Sequence, residues 1–65
     1  MAARNLTTDE AAERLGFEPE TLRDWRKYGR GPAYIKAEGR AGGVRYRPAD
    51  LDAWEKSRLV TPATP

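Results

Sequence analysis

The chain has no cysteine and no histidine. Without cysteine no disulfide can staple the fold, and no redox compartment can be inferred. Without histidine it lacks the commonest metal ligand and the commonest general base. Long apolar runs are missing as well, and the start, MAARNL, has no hydrophobic stretch of the signal-peptide kind. Catalytic constellations are equally scarce. Ser57 has no histidine or cysteine to activate it, no metal-ligand cluster exists, and the carboxylates fall mainly at helix starts and on wet faces. A tyrosine nucleophile would need a phosphate-binding and acid–base shell that 65 residues cannot easily enclose. We therefore expect no enzyme activity, no metal, no cofactor and no membrane association.

What is present is a small apolar set and an uneven distribution of charge. A chain of 65 residues forms at most one small domain, and such a domain buries only about 60% of its unfolded surface. Its stability must come from Leu6, Leu15, Phe17, Leu22, Trp25, Ile35, Val44, Tyr46, Leu51 and Trp54. The formal net charge is only +2. Yet residues 23 to 47 hold eight basic side chains against Asp24 and Glu38, so that segment is +6 and the remainder −4. Such asymmetry points to one basic face for a polyanion. On charge alone, the alternative is a mixed solvated surface.

LTTDEAAERLG carries a helix start: Thr7 and Glu10 have capping-box spacing, and Leu6 and Ala11 occupy the staple positions. The first helix is predicted over about residues 8 to 15, with Gly16 as its stop. Pro19 opens a second helix, with Glu18 as a mediocre cap, running to about Tyr28 and stopping at Gly29. Two short helices joined by about three residues containing glycine form a helix-turn-helix candidate. AYIK and VRYR then read as two short strands, with Ile35 in the first and Val44 and Tyr46 on one face of the second. The glycine-rich segment between them reads as a protruding loop carrying Arg40. Pro48 opens a third helix, with Leu51 and Trp54 on one side. Asp50 and Asp52 suit its first turn, and Lys56 and Arg58 its last. Residues 5–59 form the expected domain, and residues 60–65 a loose tail without apolar anchors.

The second helix has a definite outside. At about 100° per residue from Leu22, Trp25 falls near 300°, so the apolar centre lies at about 330°. Glu20 and Lys27 sit opposite, at about 160° and 140°, flanked by Arg23 and Asp24 at about 100° and 200°. Arg26, at about 40°, borders the core, where its stem can pack. A major groove is wide enough to admit this outward stripe. Ion pairing of Glu20 with Arg23 and of Asp24 with Lys27 is the ordinary surface alternative.

Together, LTTDEAAERLG, the proline-initiated PETLRDWR, the hairpin pieces GPAYIK and VRYR, and the closing DLDAW closely resemble MerR-like winged helix-turn-helix proteins of the excisionase type. These are also called recombination directionality factors when they serve phage integrases. The resemblance covers about residues 5 to 59. It implies a mainly α fold of about three helices with a small two-stranded β-hairpin wing. The second helix would enter the major groove, and the wing would follow the phosphate backbone or adjoining minor groove. Glu20, Thr21, Arg23, Asp24 and Lys27 inherit the recognition-helix role, and Arg40 and Arg45 the wing role, with Arg26 and Arg30 on the flank. Asp24 departs from the family, which often has a basic residue there, and this shifts weight toward the wing. Trp25, Tyr46 and Trp54 match aromatic positions assigned to packing. Tyr34 is open between packing and a phosphate contact.

The implied partner is double-stranded DNA, with neighbouring copies of the same chain and an integrase as further partners. The implied location is cytoplasmic, in a bacterium or phage-infected host, and associated with DNA. The acidic outer side of the first helix, Asp9 and Glu13, and the tail are candidate protein-binding surfaces. Two roles remain open. An excisionase bends attachment-site DNA, whereas a small transcription regulator binds near a promoter. The sequence shows no effector domain and no long dimerisation helix, which favours the first.

Overall fold

Thr7 starts the first helix through a reciprocal pair of hydrogen bonds. The Glu10 amide donates to Thr7 Oγ1 at 3.1 Å, and the Thr7 amide donates to Glu10 Oε1 at 2.9 Å, satisfying two otherwise orphaned donors. The computed structural model describes residues 4–37 and 43–62 and runs this helix, α1, over Thr8–Leu15. Gly16 ends it in the left-handed region at φ 81°, its amide donating to Ala12 O at 2.8 Å. Three residues later comes α2, Pro19–Lys27. Pro19 sits where a missing amide proton costs no helical bond. Glu18 offers no side-chain cap. Gly29 adopts φ 67°, and the Arg30 amide then donates back to Trp25 O at 2.6 Å, closing the helix end. A third helix, α3, spans Pro48–Arg58.

The strands are β1 (Leu6–Thr7), β2 (Ile35–Ala37) and β3 (Gly43–Tyr46), forming an antiparallel sheet in the order β1-β3-β2. The expected two-stranded wing therefore gains a third strand. Leu6 pairs with Tyr46 and Thr7 with Arg45, giving the second edge of β3 backbone partners it would otherwise lack. The register also corrects Ile35. It lies opposite Arg45, while Lys36 lies opposite Val44. Directly opposed residues share a sheet face, and successive residues alternate. Ile35 thus shares the face of Arg45, away from Val44 and Tyr46, and is 39% exposed.

Ala11, Ala12, Leu22, Tyr46 and Leu51 form the buried core, with Leu6, Leu15, Trp25 and Val44 packed against it. The two alanines leave room for α2 to lie close to α1. Trp25 stands between Phe17 and Trp54, with ring centroids 4.9 and 5.1 Å away. Phe17 is a half-exposed lid on this aromatic row rather than a core residue. Gly31, at φ 85°, passes so close to Trp25 that an added Cβ would lie 2.7 Å from its Cε3. Arg14 joins α1 to α3, contacting Asp52 and, at 2.8 Å, Glu55. The result is a mainly α winged helix-turn-helix: three helices, with the β2–β3 hairpin as the wing. Beyond α3, Leu59 and Val60 are exposed. Among the described residues no helix is long and apolar enough to cross a membrane.

Candidate nucleic-acid interface

Burial of Leu22 fixes which side of α2 meets solvent. That side chain is fully buried and Trp25 half-buried, whereas Glu20, Arg23, Asp24 and Lys27 are exposed and Thr21 is intermediate. The predicted outward stripe is thus brought together on one face. Its internal pairing is loose. Arg23 approaches Asp9 of α1 and Glu20 at 3.7 Å each, with half its side chain in water. Exposed pairs of this kind are worth about 0–1 kcal/mol, so a phosphate could displace them at little cost. Asp24 and Lys27 form no ion pair among the described residues. Lys27 Nζ instead lies 5.7 Å over the exposed ring of Tyr28.

The remaining basic side chains divide by what already holds them. Arg30, just past α2, and Lys36, on β2, are exposed. Arg45 is half-buried on the outer sheet face beside Thr7 and Ile35, its Nη1 donating to Val44 O at 3.0 Å. Arg40 lies outside the described residues. Arg47 is occupied, donating through Nε and Nη2 to both Asp50 carboxylate oxygens at 2.6 and 2.9 Å. That bidentate contact holds the Asp50 carboxyl below its usual range and raises Arg47 further. Arg26 turns toward the protein. Its Nη1 donates to Tyr46 Oη at 2.8 Å and to Thr8 Oγ1 at 3.2 Å, and its guanidinium lies 5.7 Å from the Tyr34 ring centre. Tyr34 packs, its ring 6.1 Å from that of Tyr46.

The sequence does not single out Arg14, and it offers Asp9 only as part of a candidate protein-binding surface. Arg14 finds its carboxylates on α3, far along the chain. Asp9 comes next to Arg23 only because α1 and α2 pack together.

This arrangement places an exposed, partly basic helix beside a hairpin on a three-helix frame. The family model for the helix-turn-helix domain matches residues 6–58. The chain belongs to that family. It is a small helix-turn-helix domain of the kind that binds double-stranded DNA, and the match spans all three helices and the sheet. Comparison with curated proteins and with solved structures gives no match. Within this helix-turn-helix domain, α1 is the first helix and α2 the second, packed against it.

Proposed function

We propose that the domain is a phage-type excisionase, a recombination directionality factor that binds and bends attachment-site DNA so that integrase-mediated recombination runs toward excision. In this reading α2 lies in the major groove, with Arg23 and Lys27 as its main contacts and Glu20, Thr21 and Asp24 beside them. A carboxylate there can accept from cytosine N4. Arg30, Arg40 and Arg45 meet the phosphate backbone or minor groove. The observation that carries the DNA-facing part is the division of α2 into a fully buried Leu22 and an outward stripe whose only ion pairs among the described residues are long and wet. The directionality role rests on the resemblance of PETLRDWR, GPAYIK, VRYR and DLDAW to that family.

One such module covers only about 600–1,000 Å² on DNA, too little to specify a long site. Adjacent copies, arranged head to tail, form an array that does not close and can extend along the duplex. Their joint contacts offset a bend that costs about 1–6 kcal/mol. The test is recombination in vitro with the cognate integrase. Adding the protein should raise excision and suppress integration without any cleavage of its own. Bound attachment DNA with an unchanged product direction would hand the function to promoter regulation.

A further inference from the structure

We propose that Arg26 is a positioning residue: it sets the recognition helix against the wing and does not itself contact DNA. The inference rests on the reading that α2 and the β2–β3 hairpin engage DNA together. Arg26 lies on the core border of α2, about 100° around the helix from Lys27. Its Nη1 serves two hydroxyls, Tyr46 Oη at 2.8 Å and Thr8 Oγ1 at 3.2 Å. The guanidinium carbon sits 5.7 Å from the Tyr34 ring centre and 6.0 Å from that of Tyr46. A planar cation with several fixed donors can hydrogen-bond and lie near aromatic rings at once, which a lysine ammonium on a flexible stem cannot reproduce.

The partners come from three separate places. Thr8 is the first residue of α1, Tyr34 immediately precedes β2, and Tyr46 ends β3. Tyr46 is itself 1% exposed and anchored in the core. Among the described residues, no other side-chain hydrogen bond or ion pair joins α2 to the sheet. Core packing of Leu22 and Trp25 with Val44 and Tyr46 brings helix and hairpin together, and one guanidinium supplies the directional contact that sets their angle. Two surfaces that must meet the same duplex depend on that angle, because misplacing one forfeits its contacts even when its own residues are intact.

The experiment compares Arg26→Met, Arg26→Lys, Tyr46→Phe and the Arg26→Met/Tyr46→Phe pair. Tyr46→Phe keeps every charge and the buried ring, so it guards against a general loss of folding. In the free protein, residual dipolar couplings of β3 amides relative to α2 should change in Arg26→Met and Tyr46→Phe alike. The double variant should add little beyond either single change. Specific DNA affinity should fall roughly tenfold in each single variant, and Arg26→Lys should not restore it. The slope of affinity against salt should stay at the wild-type value in Tyr46→Phe. Unchanged couplings, or a slope lowered by about one in Arg26→Met with wild-type binding by Tyr46→Phe, would make Arg26 a phosphate contact and overturn the proposal. A wild-type protein that bound no DNA would remove the functional reading, while the couplings in the free protein would still decide the positioning role.

Discussion

Replacing Gly31 by alanine separates two costs that usually arrive together. Gly31 has φ 85°, and an added Cβ would meet Trp25 Cε3 at 2.7 Å, Cβ at 3.1 Å and Cδ2 at 3.2 Å. The ring cannot simply retreat, because Phe17 and Trp54 stand against it at 4.9 and 5.1 Å between centroids. The left-handed backbone alone costs an alanine about 1–2 kcal/mol, and overpacking adds about 1–3. Gly31→Ala should therefore cost about 2–5 kcal/mol, comparable to the roughly 3–5 kcal/mol that a core of this size supplies. Gly16 and Gly29 are the controls. They have φ 81° and 67° with nothing within 4 Å of an added Cβ, so alanine there should cost only about 1–2 kcal/mol. Urea unfolding followed by tryptophan fluorescence, with trimethylamine N-oxide present to keep the weakest variant folded, measures all three. If Gly31→Ala costs no more than the controls, the close packing of this loop on Trp25 is wrong.

Arg23→Ala or Lys27→Ala should weaken DNA binding by about 1–3 kcal/mol where a base is contacted, with thermal melts close to wild type. Filter or anisotropy binding beside calorimetry checks both. Thr7→Ala removes the cap of α1 and should cost about 0.5–2 kcal/mol, read from the urea midpoint. Acid should destabilise the fold in a defined direction. Glu10 is held below its usual range first by the Thr7 amide and then by Arg4, and Asp50 by Arg47. Their folded values lie below their unfolded ones, so their contribution is present above the ordinary carboxylate range and is lost as pH falls through the lowered values. A urea-midpoint series against pH should slope less below the carboxylate range in Glu10→Gln than in wild type.

The helix boundaries were legible because local chemistry sets them. Thr7 with Glu10, Gly16, Pro19 and Pro48 act within a turn of their own positions, and α1 begins and ends where they predict. The outward stripe of α2 was equally legible, since one buried leucine orients a short helix. What escaped depends on distant partners. Leu6–Thr7 is too short to show alternation, and it becomes a strand only by pairing with Arg45 and Tyr46. Ile35 looks like a core residue by composition, but its register with Arg45 puts it outside. Arg26 sits at a helical angle compatible with packing or binding, and only the positions of Thr8, Tyr34 and Tyr46 reveal how it is held.

On the proposed reading, α2 and the hairpin form the face that meets double-stranded DNA. Non-specific binding by such domains falls at about 10⁻⁴–10⁻⁶ M at physiological salt, so the cognate sequence is not required for a direct test. A short duplex can be titrated at low salt into isotopically labelled protein while amide and arginine side-chain resonances are followed by NMR. The largest shifts should fall at Thr21, Arg23, Asp24, Lys27, Arg30 and Arg45. Little change is expected on α3 at Asp52 and Glu55, where Arg14 holds them. Shifts centred on α3, or on α1 with the outward stripe of α2 silent, would contradict this reading.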